Sequence, residues 1–265
     1  MVAACRALET KRPDGMIRDP FAERLAGERG IAIAQALPDV EVMCFGVGMR
    51  SRFLDDLLTH ALSTYAIETV VSIGAGLDTR PWRMKLPAHL RWIELDFPEI
   101  LDYKGKLMAS AAPACRIERM AADLNDAAQR RRIYSALDTG TGLMIVEGVL
   151  PYLPEATVES LARESATESR FRYCLLDMTS SEFIRRSGAH RAVQHVRDAT
   201  GINGDRIREI LERYGWTALQ RRSYISDVFE IAGERIMKIV QSRSGAGATP
   251  PPRDDMSGVY LMGRA

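Results

Sequence analysis

Four short stretches carry residues able to hold a small ligand. The first is Ser72-Ile-Gly-Ala-Gly-Leu-Asp-Thr-Arg80, where a β-branched apolar run gives way to Gly74, Ala75 and Gly76. Glycines at such a point let the main chain approach a ligand where a Cβ would collide with it. About twenty residues further on, Asp96 closes a second apolar run and can accept hydrogen bonds from the two hydroxyls of a ribose. Asp123 follows a third run, where a carboxylate can accept an adenine amino group while Leu124 lies against the ring. Glu147 follows a fourth, where it can meet an ammonium. The third glycine of the dinucleotide fingerprint is missing, because Thr79 stands in its place; the close helix packing that supports a pyrophosphate is therefore not encoded. A glycine loop and a ribose-binding acid without a phosphate fingerprint describe a nucleoside ligand with little phosphate, and S-adenosylmethionine is one. Each acid also has a plainer role open to it. Asp96 can favour a helix start at Phe97-Pro98 through the macrodipole, and Asp123 can be a turn residue. The ordered set, one acid after each run, favours the ligand.

The elements that position these residues alternate in period. Thr69–Ile73, Arg91–Leu95, Leu143–Val146 and Phe171–Leu176 are short apolar runs suited to strands covered on both faces, and Arg116–Ala121 adds another. Helical stripes lie between and before them. Phe53, Leu54, Leu57, Leu58, Ala61, Leu62 and Tyr65 form one, and Pro98 opens a second carrying Ile100, Leu101, Leu107 and Met108. Ile207, Ile210, Leu211 and Tyr214 form a third, closed by Gly215, and Ser226 and Asp227 can cap a fourth. Strands alternating with helices predict an α/β protein with a doubly wound sheet. About sixty residues precede the first strand, and they are expected to form a helical cap over residues 1–66, with the core in 67–265. The stretch Gly245–Gly258, rich in glycine and proline, is expected to be a mobile loop before a last strand at Val259–Met262.

These residues closely resemble the leucine carboxyl methyltransferase superfamily, in particular its bacterial polyketide O-methyltransferases of the tetracenomycin type. The resemblance is carried by Arg18-Asp-Pro-Phe-Ala22, Arg50-Ser-Arg-Phe-Leu-Asp55, Gly74-Ala-Gly-Leu-Asp-Thr-Arg80, Glu94-Leu-Asp-Phe-Pro98, Ala122-Asp-Leu124 and Glu147-Gly-Val-Leu-Pro-Tyr-Leu153. It implies one class I methyltransferase domain over 1–265, with a Rossmann-like sheet of seven strands, the last antiparallel, and a substrate lid at about 180–204. It further implies S-adenosyl-L-methionine as cofactor. Arg50 would pair with the carboxylate of its methionine part; Gly74, Ala75 and Gly76 would line it. Asp96 and Phe97 would take the ribose side, Asp123 and Leu124 the adenine, and Glu147 the ammonium. Arg52 is a rival to Arg50, and an arginine fork suits a bidentate carboxylate contact whichever supplies it.

The sulfonium is an activated leaving group, so transfer needs chiefly an in-line nucleophile in a dry site. A carboxylate acceptor needs no base, whereas a phenol, with a reference pKa of about 10, gains from one. Tyr152, His190 and His195 are the candidates for orienting or deprotonating an acceptor, with Arg185, Arg186, Arg191 and Arg197 making the lid segment basic. His60 and His89 are expected to be structural or on the surface. No Asp/Asp/Asn cluster of the catechol type is seen, so no metal is expected.

The remaining arithmetic sets bounds. Among 265 residues, 36 basic against 35 acidic side chains leave a net charge of +1, so no basic field attracts nucleic acid. No apolar run reaches the roughly 20 residues of a membrane span. Four scattered cysteines give neither a zinc knuckle nor a CxxC pair, which fits a reducing, cytoplasmic setting. The expectation is an O-methyltransferase acting on a carboxylate or hydroxyl of a small metabolite, polyketide-like by resemblance, of undetermined oligomeric state. The alternatives are a nicotinamide-dependent oxidoreductase and a non-catalytic cofactor-binding module.

Overall fold

The computed structural model describes residues 1–137, 140–168, 170–187, 201–243, 252 and 254–264. Among them, seven strands form one sheet in the order β3-β2-β1-β4-β5-β7-β6: β1 (Ile67–Ile73), β2 (Arg91–Asp96), β3 (Arg116–Ala121), β4 (Thr141–Val146), β5 (Phe171–Met178), β6 (Thr217–Ser223) and β7 (Gly258–Gly263). The first five pair in parallel, and β7 runs antiparallel between β5 and β6. β1 therefore has β2 on one side and β4 on the other. Strand order reverses there, the point at which sheets of this kind bind ligands beyond the carboxyl ends of the central strands.

The central strands carry apolar residues on both faces because both faces are covered. Val70, Leu143, Ile145 and Leu175 enter one core; Val71, Ile73, Met144, Val146 and Leu176 point the other way into a second. Each of these side chains is worth about 1.5–3 kcal/mol when fully withdrawn from water. The edge strands have different sequences. β3 carries Arg116, Glu118 and Arg119 and β6 carries Gln220, Arg221 and Arg222, charged or polar surfaces that discourage further strand pairing. β6 lacks the apolar run by which the inner strands are legible, so its sequence gives no strand signal.

Three helices precede the sheet: α1 (Val2–Lys11), α2 (Ala22–Gln35) and α3 (Val40–Thr64). α3 is the long one. Phe45, Met49, Phe53, Leu54, Leu57, Leu58 and Ala61 form its buried stripe and pack on the core fed by Val70 and Leu143. Following β1 come a short turn of helix, α4 (Arg80–Arg83), and α5 (Pro98–Met108), which starts at Pro98, where the missing N–H costs nothing. α6 (Ala127–Ser135), capped by the Asp126 side chain, and α7 (Glu155–Thr167) cover the other face. α8 (Ser181–Ser187) follows β5. α9 (Gly204–Arg213) is capped by Asn203 and ends before Gly215, whose φ of 82° reverses the chain. α10 (Ser226–Arg243) packs Val228 and Ile236 on the α3 side.

One expectation needs correction. The end of the glycine- and proline-rich stretch is an ordered part of the core: Asp255, Met256 and Ser257 are buried. Asp255 accepts hydrogen bonds from the Ser180 hydroxyl at 2.6 Å and the Ser257 amide at 2.7 Å. Residues 245–251 and 253 of that stretch, and residues 188–200 of the expected lid, lie outside the described residues. No helix among the described residues is long and apolar enough to cross a membrane.

Candidate active site

The loop after β1 is built from two glycines with different reasons to be glycine. Gly74 has φ of 62°, and a Cβ there would stand 2.5 Å from Val149 Cγ2. Gly76 has φ of 47°, yet a Cβ there would meet nothing closer than the Gly74 carbonyl at 3.9 Å. The backbone at Gly76 thus borders open space, a cradle that a side chain would fill. The Gly76 amide donates to Asp96 Oδ2 at 2.6 Å, and the other oxygen of Asp96 accepts from the Phe97 amide at 2.8 Å. Asp96 therefore ties the end of β2 to the glycine loop as well as marking the helix start. Phe97 is exposed beside it.

Asp123 closes β3 in a turn of its own making: its Oδ1 accepts from the Asn125 amide at 2.9 Å, and its amide donates to Gln129. Leu124 is buried, with its carbonyl held by Arg130. The turn role foreseen for Asp123 is real, and it fixes the carboxylate just past the end of β3, two residues beyond Ala121, the register partner of Asp96.

Beyond β1 on the other side lies a network of buried charge. Arg50 of α3 donates from Nε to Glu147 Oε1 at 3.0 Å and stands 3.5 Å from Asp177 Oδ2. Arg80, the last residue of the glycine string, is 2% exposed and faces three carboxylates: Asp55 at 2.7 Å, Glu147 at 2.8 Å and Asp78 at 3.2 Å. Arg83 donates twice more to Asp55. Asp19 joins the network from the cap, accepting from Arg6 at 2.8 Å and from Thr79 at 2.7 Å. The two arginines differ in environment: Arg52 is exposed and pairs with Asp56 one turn along α3, while Arg50 reaches the sheet.

Burial and charge act against each other here. Burial pushes the Glu147 carboxyl up, but Arg80 and Arg50 outweigh it and hold the group below the usual range. Asp78 is likewise raised by burial and brought well below its ordinary value by Arg80, Lys104 and Arg83. Asp177 goes the other way. Burial dominates there, Arg50 only partly opposes it, and the carboxyl lies above its ordinary value.

Of the three residues named for acceptor chemistry, Tyr152 sits 49% exposed on the turn after β4, and His190 and His195 lie outside the described residues. His60 contacts Tyr65 and Gln220 on the surface. Among the described residues no group of three or more His, Cys, Asp or Glu is placed to hold a metal ion. Sequence reasoning assigned no role to Arg80, Asp55 or Asp177. Asp177 had a legible signal, an acid at the end of an apolar strand, the same signal that singled out Asp96 and Glu147.

The sequence model of the leucine carboxyl methyltransferase family matches residues 1–166. A relative from Streptomyces avermitilis, named as an S-adenosyl-L-methionine-dependent methyltransferase, is 36% identical over 203 residues, covering 72% of this chain and 71% of its own. Another so named, from Streptomyces coelicolor, is 35% identical over 184 residues, and the match spans 65% of that relative's length. Among solved structures, a DUF574 family protein from Streptomyces avermitilis superposes with a TM-score of 0.58 at 12% identity, covering 100% of this chain and 97% of that one. Magnesium protoporphyrin IX methyltransferase from Synechocystis, solved with bound S-adenosylhomocysteine, gives 0.54 at 13% identity, covering 91% and 92%. At such identities the likeness is one of fold, and that fold is the class I methyltransferase sheet with its antiparallel β7. On the family match and the level of identity to the Streptomyces avermitilis relative, the chain belongs to the leucine carboxyl methyltransferase family.

Proposed function

We propose that this protein is an S-adenosyl-L-methionine-dependent O-methyltransferase acting on a small molecule, with residues 1–66 as a cap on a single Rossmann-like domain. The observation that carries this reading is the placement of complementary groups along one edge of the sheet. The open cradle at Gly76 and the Asp96 carboxylate suit an adenosyl group, with Asp123 and Leu124 on the adenine side. The adjacent Arg50 and Glu147, 3.0 Å apart, present a cation and an anion to the carboxylate and ammonium of an amino acid. When bound, the cofactor supplies a methyl group on a positively charged sulfur, a carbon that an oxygen nucleophile can take.

The chain's own residues then have defined tasks. Arg80 keeps Glu147 and Asp78 ionised and holds Asp55 in place, so that Glu147 meets an ammonium as a carboxylate. Gly76 keeps a Cβ out of the open cradle, and Gly74 makes room for Val149. The four cysteines are free and buried, which supports a reducing, cytoplasmic setting. The polyketide-like acceptor stands on the resemblance in the sequence motifs.

Calorimetry with S-adenosylhomocysteine and, separately, with NAD tests the reading. Micromolar binding of the former and none of the latter is expected; binding of NAD alone would make the protein an oxidoreductase. Tight S-adenosylhomocysteine binding with no methyl transfer to any acceptor would leave a non-catalytic module.

A further inference from the structure

Two polar groups next to the proposed cofactor site are not used by it. One is Asp177, at the end of β5. Its Oδ1 accepts the Gly148 amide at 2.6 Å, and its Oδ2 lies 3.5 Å from Arg50. The other is the hydroxyl of Tyr224, just after β6. That hydroxyl is buried and has no hydrogen-bond partner among the described residues, an arrangement that is costly unless a ligand atom completes it. Its ring stacks on Phe53 of α3 with centroids 6.3 Å apart and meets Phe183 of α8 at 6.2 Å. Phe53 is fully buried, with Arg222 over its ring, so it backs Tyr224 from the core and leaves the half-buried Tyr224 and Phe183 as the rings that can face a ligand.

The order of the sheet assigns sides. Adenine, ribose and the glycine loop occupy the ends of β3, β2 and β1, and Arg50 with Glu147 takes the amino-acid part at β4. The next strand along is β5, so Asp177 is the first acid beyond the groups the cofactor engages. The charged and titratable groups facing Asp177 are Arg50 from α3, Glu147 from the turn after β4 and Tyr224 from the turn after β6. Tyr260 of β7 adds to those acting on Tyr224.

We propose that Asp177 is the general base and Tyr224 the hydrogen-bond donor of an acceptor site for a neutral aromatic hydroxyl, not for a carboxylate. This deepens the methyltransferase reading and rests on it. The half-buried rings of Tyr224 and Phe183 suit an aromatic acceptor, and the Tyr224 hydroxyl donates to the acceptor oxygen. The acceptor O–H gives its proton to the Asp177 carboxylate. The oxygen then forms a bond to the methyl carbon while the carbon–sulfur bond breaks, its electron pair staying on sulfur, which becomes a neutral thioether. The proton leaves from Asp177 to water. A carboxylate acceptor has no proton to give and would enter beside Asp177 and Glu147, two like charges. Burial raises the Asp177 carboxyl above its ordinary value, toward the range where a base works well at neutral pH, and keeps Tyr224 protonated as a donor.

The test uses the full chain with S-adenosylmethionine and two matched pairs of probes, phenol with benzoate and 1-naphthol with 1-naphthoate. S-adenosylhomocysteine production should occur with the hydroxyl member of a pair and release one proton per turnover. Asp177→Asn keeps an oxygen for the Gly148 amide; it should lower kcat at least 100-fold and leave the S-adenosylhomocysteine dissociation constant within threefold, which also reports a folded site. Tyr224→Phe should raise KM and weaken calorimetric binding of 1-naphthol to the S-adenosylhomocysteine complex tenfold. The proposal is overturned by a preference for the carboxylates, by undiminished turnover in Asp177→Asn, or by no turnover of either hydroxyl despite bound S-adenosylhomocysteine. Absence of S-adenosylhomocysteine binding by the unaltered protein would instead overturn the reading beneath it.

Discussion

Replacing Arg80 by Met removes the one cation shared by Asp55, Asp78 and Glu147 while keeping a side chain of similar length. Arg80 is 2% exposed, its three carboxylate contacts span 2.7–3.2 Å, and the partners' side chains are only 14–16% exposed, so water compensates little for its loss. Breaking a buried ion pair by removing one partner costs about 3–5 kcal/mol. At about 2–4 °C per kcal/mol for a chain of this size, the melting temperature should fall by roughly 6–20 °C. The pH dependence carries a sign. In the unaltered protein Glu147 and Asp78 titrate below their ordinary values, so their contribution is complete above the unfolded carboxylate pKa of about 4 and is lost as pH falls through the lower folded values. Without Arg80 those values move upward, and the buried acids are least tolerated when ionised. The deficit relative to the unaltered protein should therefore be largest at pH 7.5 and narrow toward pH 4. Differential scanning calorimetry at both pH values measures it. Arg52→Met is the control, since an exposed pair one helical turn apart is worth about 0–1 kcal/mol. A drop under 2 °C for Arg80→Met, equal drops for both variants, or a deficit that widens in acid would refute the argument.

Other outcomes follow from the same geometry. Asp96→Ala should weaken S-adenosylhomocysteine binding by about 1–3 kcal/mol, and Asp96→Asn by less because an oxygen remains for the Gly76 amide; calorimetry giving an unchanged dissociation constant for Asp96→Ala would remove the residue from the site. Gly76→Ala places a Cβ at φ of 47°, a strain of about 1–2 kcal/mol, and also fills the open cradle, so cofactor affinity should fall more than stability does when both are measured. Asp177 has the opposite pH sign from Glu147. Its raised value means that ionisation costs stability as pH rises through the folded value, so Asp177→Asn should melt no lower than the unaltered protein at pH 7. That advantage should vanish by pH 4 in the same thermal scans.

Much of this architecture is written in local pattern. The inner strands are legible because both faces of a central strand are buried, which favours runs of adjacent apolar residues; Val70-Val71 in β1 and Leu143–Val146 in β4 show this plainly. Gly74 and Gly76, followed by an acid at the end of each next strand, are legible because a ligand at a strand-order reversal is held by loop residues at fixed points of the βα repeat. β6 was not, since an edge strand takes its stability from pairing with β7 and its residues face solvent. Nor could sequence separate Arg50 from Arg52, two residues apart on one helix. A rotation of about 200° about the helix axis sends one to Glu147 and the other to water.

The sequence by itself determined which residues could meet a nucleoside and that strands and helices alternate, because those properties depend on neighbours a few positions away. Tertiary structure alone decided which charges are shared. Arg80 meets acids 25 and 67 residues distant, and Arg50 meets one 127 residues away. Such pairings are set by the crossing of the cap helix over the sheet, and their strength comes from the water excluded there, a quantity no local pattern encodes.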